Sequence, residues 1–298
     1  MATMLVTGGS GFIGRHLCQQ ALSEGWHVIV LTRNARAVAK RLPSSVKLIE
    51  TLSGINTSVP IDAVVNLAGK PLAKGRWTPA RKRRFVDSRV GITQQLYDFF
   101  SGRTLKPKVI ISGSAVGYYG AGESPVDETM AGSDGFSHRL CRDWEASAMQ
   151  FERLGCRVCY LRTGIVLGRE GALAKMLPAF KLALGGPMGT GKQWMSWIHI
   201  DDMVRAVLHC IMQEDIVGAV NATAPHPVSN QQFSKALGAT LGRPAIFAMP
   251  ELVVKLMFGE MGEELLLQGQ CVLPKKLEDS GFEFKYARIK PALNHLLR

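Results

Sequence analysis

Residues 7–16 read TGGSGFIGRH, and the segments on either side say what that turn is for. Ahead of it MLV is an apolar run of strand type. Behind it RHLCQQALSEG spaces its apolar residues as one face of a helix. A glycine turn between a strand and a helix is the setting of a dinucleotide fingerprint, in which small residues close the turn and let the backbone approach a pyrophosphate at the helix N-terminus. Gly8, Gly11 and Gly14 satisfy GxxGxxG, while Gly9, Gly11 and Gly14 satisfy GxGxxG. Thr7, Phe12 and Ile13 belong to the same turn and complete the expected cofactor cradle.

The alternation continues along the chain. HVIVLTR, AVVNLAG, KVIISGSA and RVCYLRTGIVL read as strands, and RRFVDSRVGITQQLYDFF and RLCRDWEASAMQFERLG as helices. Strands alternating with helices predict βαβ units, hence an α/β fold with a doubly wound parallel Rossmann sheet. The expected organisation is a dinucleotide-binding Rossmann domain over residues 1–167, joined by a returning strand near 217–223. Residues 168–298 form a smaller C-terminal, substrate-side lobe, whose helical pieces are broken by Pro244, Pro250 and Pro274.

The end of the second strand selects the cofactor. An NAD enzyme places Asp or Glu there to hold the ribose 2′-hydroxyl. Here the strand ends Leu31-Thr32-Arg33-Asn34, with no carboxylate. Arg33 offers a planar fork for a 2′-phosphate, beside Thr32, so the expected cofactor is NADP(H).

Charge agrees with an anionic ligand. The chain has 36 Lys and Arg against 24 Asp and Glu, a net charge of +12. The densest cluster, Arg81 to Arg84, follows Thr78-Pro79, a cap and first-turn pair, and reads as the wet face of a helix whose apolar side carries Phe85, Ile92, Leu96 and Phe99. No aromatic platform or groove-reading motif accompanies it, so no nucleic-acid partner is expected. No uncharged apolar run reaches about 18 residues, so neither is a membrane span. The opening residues lack a basic n-region, and six scattered cysteines read as reduced core thiols, which together point to the cytoplasm or an organelle matrix. Cys156 and Cys159 form a CxxC, but within a β-type run where residues three apart face opposite ways.

TGGSGFIG, NLAG (66–69), ISGSAVGYYG (111–120), RTGIVLG (162–168) and WIHIDD (197–202), in that order, resemble the extended short-chain dehydrogenase/reductases. GYYG, CRDWE, LGGPMGTGKQWMSWIHIDDM and the tail LLLQGQCVLPKKLEDSGFEFKYARIKPAL narrow the likeness to the NADP-binding "epimerase family" branch, sometimes labelled sugar-nucleotide epimerases. The resemblance implies that Leu67, Ala68 and Gly69 lie against the adenosine side, with Arg89 where an Asn commonly neighbours the nicotinamide half. It also implies that Val166 lies near the nicotinamide ring and that Ser114 matches the catalytic Ser. By the same analogy a homodimer is possible.

One element of the pattern is missing. The superfamily uses a Tyr for proton transfer and a Lys one helical turn later. Aligning Glu145 with the acidic residue that follows the Lys puts Ser137 and Cys141 at those positions; a one-residue slip gives Phe136 and Leu140. Neither register holds the pair, and the YxxxK at Tyr286 to Lys290 lies near the chain end. A free Tyr is ionised to only about one part in a thousand at neutral pH, so a lone Tyr is a poor base. Tyr118 or Tyr119, just past Ser114, is the candidate replacement. His138 and Cys141 are too few for a metal, and no metal is expected. His199 either contacts substrate or braces the lobe, and Asp201 reads as a helix N-cap. Two functions follow: an NADP(H)-dependent oxidoreductase or epimerase acting on a small polar or nucleotide-linked substrate, or a non-catalytic NADP(H)-binding redox sensor or partner-binding protein.

Overall fold

The structure is a computed structural model that describes residues 2–298. Seven strands form its central sheet: β1 (Thr3–Thr7), β2 (His27–Leu31), β3 (Lys47–Ile49), β4 (Ala63–Asn66), β5 (Val109–Ala115), β6 (Arg157–Thr163) and β7 (Gly218–Ala222). All pair in parallel, in the order β3-β2-β1-β4-β5-β6-β7. The order reverses between β1 and β4, which opens a crevice at their carboxyl ends, where Thr7 pairs with Asn66.

Successive side chains along each strand go to opposite faces, so the sheet builds two cores. Met4, Val6, Val28, Val30 and Ile111 join one; Leu5, Ile29, Val64 and Ile110 join the other. Cys159 and Cys156 divide between the same two cores, and all six cysteines are buried and unpaired.

Helices α1 (Phe12–Ser23), α2 (Ala35–Ala39), α3 (Pro79–Val86), α4 (Ile92–Ser101), α5 (Phe136–Met149), α6 (Gly171–Lys181), α7 (Ile200–Met212), α8 (Asn230–Leu241) and α9 (Glu251–Phe258) follow in chain order. Leu17 of α1, Met203 of α7 and Phe233 of α8 pack into the first core, with Leu293 of the C-terminal helix Ile289–Leu297. Leu96 and Phe100 of α4 and Ala148 of α5 pack into the second. Residues beyond 168 therefore share the core of the glycine-turn strand. The short pairing of Cys271–Val272 with Pro125–Val126 ties the later chain to the sheet's carboxyl edge.

Thr78 caps α3 and Pro79 stands at its first positions. Ser229 caps α8 in a full capping box with Gln232. The long helix expected over residues 83–100 is interrupted by a π-turn at Asp87–Gly91, which inserts one residue and turns Arg89 inward. Among the described residues no helix is long and apolar enough to cross a membrane.

Candidate active site

The glycine turn is a cradle with no room for side chains. Gly8 has φ +69°, and a methyl group on it would lie 2.6 Å from the Leu67 carbonyl oxygen. One on Gly14 would collide with the Gly8 carbonyl, because α1 starts directly under the turn. Gly11 caps α1 without any side-chain acceptor, so the first amides of the helix have no capping partner from its own side chains. Thr7 fixes the position of this turn: its hydroxyl donates to Asn66 Oδ1 (2.6 Å) and accepts from the Ala68 amide (3.2 Å). Asn66 in turn donates to Thr93 Oγ1 (2.8 Å), which joins β1 and β4 to α4.

A cleft of about 780 Å³ runs over this edge. Thr32 and Arg33 line one part, Thr7, Gly8 and Gly11 the middle, and Leu67, Ala68 and Gly69 the β4 side. The side chains of Phe12, Ile13 and Val166 pack against the first core, and the ring of Phe12 fills the space beside Gly168. Arg89 is 9% exposed and packs under Gly69. It donates to the carbonyls of Lys70 (3.1 Å) and Phe85 (3.2 Å), and burial lowers its pKa to about 10, which leaves it cationic at neutral pH. Sequence reading missed further polar groups on this cleft, among them Glu50, whose carboxylate accepts the Ala35 amide, and Lys70 and Ser88, joined by an amide-to-hydroxyl bond of 3.0 Å. Only Lys70, next to NLAG, carried a local signal.

The proposed catalytic side chains meet in a buried polar chain. Ser114, 5% exposed, donates to Glu145 Oε1 at 2.6 Å. Arg162 grips both oxygens of the same carboxylate at 2.9 Å. It also donates to the Tyr119 hydroxyl (3.0 Å), which donates to Asn221 Oδ1 (2.7 Å). Burial pushes the Tyr119 pKa up, opposed by Arg162. Tyr118 is half-buried, with the Arg162 guanidinium 3.4 Å from its ring centroid. Glu145 and Arg162, both acting across the sheet edge, were not singled out as site residues, because nothing in WE or RTG shows that they pair.

Helix α5 contains neither Tyr nor Lys. Ser137 and Cys141 are buried on it, and burial pushes the Cys141 thiol up to about 11, close to Ser114, Glu145 and Arg89. Gly135 offers α5 no capping side chain. The Glu264 carboxylate does so from the far end of the chain, accepting from the amides of Phe136 (3.0 Å) and Ser137 (2.9 Å) and from Ser137 Oγ (2.6 Å). His138 bonds the Tyr118 carbonyl through its Nδ1.

The expectation that Asp201 caps α7 is corrected. His199, fully buried, is the cap, and its Nδ1 accepts the Asp201 amide (3.0 Å), which leaves Asp201 in the first turn. Its Nε2 meets His295 Nδ1 at 3.2 Å and its ring stacks on Tyr286 at 3.9 Å, so His199 braces the lobe. His199, Asp201 and His295 lie within 4.8 Å of one another. With the Nδ1 lone pair on a helix amide, the imidazole proton sits on Nε2, and neither nitrogen offers a lone pair to a metal.

The family model for the NAD dependent epimerase/dehydratase family matches residues 4–222, and a domain of unknown function, DUF1731, matches residues 249–296. The chain is 37% identical to the Arabidopsis thaliana "Epimerase family protein SDR39U1 homolog, chloroplastic", covering 99% of this chain and 87% of that one. It is also 37% identical to epimerase family protein YfhF of Bacillus subtilis, over 98% and 97% of the two chains. Among solved structures, human epimerase family protein SDR39U1 with NADPH superposes with a TM-score of 0.89 at 32% identity, covering 99% and 98%. A Rossmann-type sheet, a glycine cradle at its switch point and these full-length likenesses place the chain in the NAD dependent epimerase/dehydratase family, among the epimerase family proteins related to SDR39U1.

Proposed function

We propose that this protein binds NADP(H) in the β1–β4 cleft and acts as an oxidoreductase or epimerase on a small polar or nucleotide-linked substrate. The observation that carries the binding is the cradle of Gly8, Gly11 and Gly14, whose missing side chains leave backbone amides for a pyrophosphate. Arg33 at the cleft, with no carboxylate at the end of β2, supports a 2′-phosphate, and a relative of 32% identity is known with NADPH. When bound, the nicotinamide gives or accepts a hydride. Arg89 supplies a buried cation where the superfamily lysine is lost. Tyr118 is the better proton partner, since both sides of the Tyr119 hydroxyl are already engaged. Ser114 has its proton on Glu145, so it offers a substrate hydroxyl an acceptor.

That same bond favours the second reading, a non-catalytic NADP(H)-binding protein, because Ser114 cannot donate to a carbonyl without releasing Glu145. A panel of carbonyl compounds and sugar nucleotides, followed by NADPH absorbance, separates the two. Turnover lost in Tyr118→Phe supports the enzyme; no turnover across a broad panel by protein that binds NADPH supports the sensor. The cofactor assignment has its own test. Arg33→Ala should weaken NADPH about tenfold, the loss of one phosphate contact of ~1.4 kcal/mol, and leave NADH unchanged. Equal effects on both cofactors would remove Arg33 from 2′-phosphate recognition.

A further inference from the structure

The C-terminal lobe carries an apolar face that the chain itself does not cover. Helix α9 is rich in large aliphatic residues, yet only Val254 of its eight residues is fully buried. Leu252, Leu256 and Met257, Ile246 and Phe247 just before the helix, and Leu182 and Leu184 after α6 are each between 55% and 74% exposed. Backbone bonds join these segments: the Gly189 amide donates to the Met249 carbonyl and the Met249 amide to the Pro187 carbonyl, both at 2.9 Å. Side chains this exposed project from the surface and do not line a groove.

Cations stand at the margin of the face. Arg76 donates to the Leu256 carbonyl (2.5 Å), Lys181 ends α6 next to Leu182, and Arg243 lies three residues before Ile246. All three are exposed, and among the described residues none of them pairs with a carboxylate. The nearby carboxylates are engaged elsewhere. Glu251 and Glu263 lie 2.8 and 3.9 Å from Lys255, Glu260 pairs with Lys82 of α3 (2.5 Å), and Glu264 holds the first amides of α5. Helix α9 is therefore locally neutral, and the uncompensated charge beside it is positive.

We infer that this face docks on the surface of an anionic phospholipid bilayer, with α9 lying in the plane of the headgroups. A helix in that position buries its aliphatic side chains at the headgroup–acyl boundary, while basic side chains beside it meet anionic headgroups. Two properties select lipid over a folded protein partner. Protein interfaces draw most of their binding energy from Trp, Tyr and Arg seated in pockets, whereas this face presents Leu, Ile, Met and one Phe as projections. Its cations come from three separate segments and need no fixed geometry in their partner, which suits mobile headgroups. The contact is with the surface only. The eight residues of α9 rise about 12 Å, well short of a hydrocarbon core of about 30 Å.

The inference is independent of the proposed chemistry. The full chain should co-sediment with vesicles of phosphatidylcholine and phosphatidylglycerol in equal parts, and far less with phosphatidylcholine alone. Leu252→Glu and Leu256→Glu should each weaken that binding at least about tenfold, while thermal melting and NADPH affinity stay at wild-type values. Lys181→Glu and Arg243→Glu should each weaken it about fivefold or more, since each removes one cation from the lipid surface. Arg153→Glu is the control, because Arg153 is exposed just after α5 and its reversal changes the net charge of +12 by the same amount. Its binding should stay at the wild-type value. Absence of binding to the mixed vesicles overturns the inference. So does binding indifferent to both leucine substitutions, or binding that Arg153→Glu weakens as much as Arg243→Glu, which marks adsorption by overall charge. A leucine-sensitive dimer that ignores vesicles overturns it as well.

Discussion

Helices α1 and α5 begin in the same way and end up with opposite uses. Each is capped by a glycine, Gly11 or Gly135, with no side chain to satisfy its first amides. Each therefore presents partial positive charge at the carboxyl edge of the sheet. At α1 the amides receive no side-chain cap and open on the cleft between β1 and β4. At α5 the Glu264 carboxylate already fills the place an anion would take. The difference lies in what meets the first turn: the start of α1 opens on the cleft, while the start of α5 is engaged by a side chain of the later lobe. Once a lobe carboxylate sits on the first turn of α5, that turn holds the lobe in place, and its Phe136 and Ser137 amides are taken. A third helix, α7, takes another solution, a neutral imidazole as the cap.

The largest effect should come from the body of α5. Glu145→Ala leaves the Arg162 guanidinium buried without its carboxylate, and urea unfolding should show a loss of about 3–5 kcal/mol. A loss below 1 kcal/mol, an exposed-pair value, would mean that the chain from Ser114 to Asn221 is not held by this ion pair.

Next comes acid. Burial lowers the His199 pKa to about 4 from the ordinary 6.5, so the folded state resists protonation more than the unfolded state does. Its contribution is complete above pH 6.5 and is lost as pH falls from there toward 4, by up to about 3 kcal/mol. His199→Asn keeps a capping acceptor that does not titrate, and its melting temperature should fall less steeply over that window. Parallel curves for the two proteins would show that this cap plays no part in acid sensitivity.

At the open helix, Gly14→Val drives a side chain into the Gly8 carbonyl. NADPH affinity, read by fluorescence titration, should drop about a hundredfold, or ~2.7 kcal/mol. Wild-type affinity in this variant would place the cofactor elsewhere. The smallest change belongs to the filled helix. Glu264→Ala removes a cap and should cost about 1–2 kcal/mol, while Glu264→Gln, which keeps an acceptor, costs less. If NADPH affinity also fell in Glu264→Ala, the separation between the two helix starts would not hold.

What the sequence by itself determined is the local part of this picture. TGGSGFIGRH between a strand and a helix implied the cradle; the alternation of apolar runs implied a parallel sheet; Thr78-Pro79 and Ser229 marked helix starts. All of these depend on residues within one or two turns of each other, where spacing alone sets which side chains share a face. WIHIDD was harder even locally, because an imidazole and a carboxylate are both able to cap and only the observed 3.0 Å contact chose His199. The tertiary structure decided the rest. Glu264 reaches Ser137 across 127 residues, Tyr119 meets Asn221 across 102, and Ser114 meets Glu145 across 31. The π-turn that sets Arg89 under Gly69, and the exposure of an apolar α9, are likewise consequences of what packs against each helix. No periodicity encodes such contacts. Their energies come from burial and from charges brought together by the folded chain, so they exist only once distant segments have met.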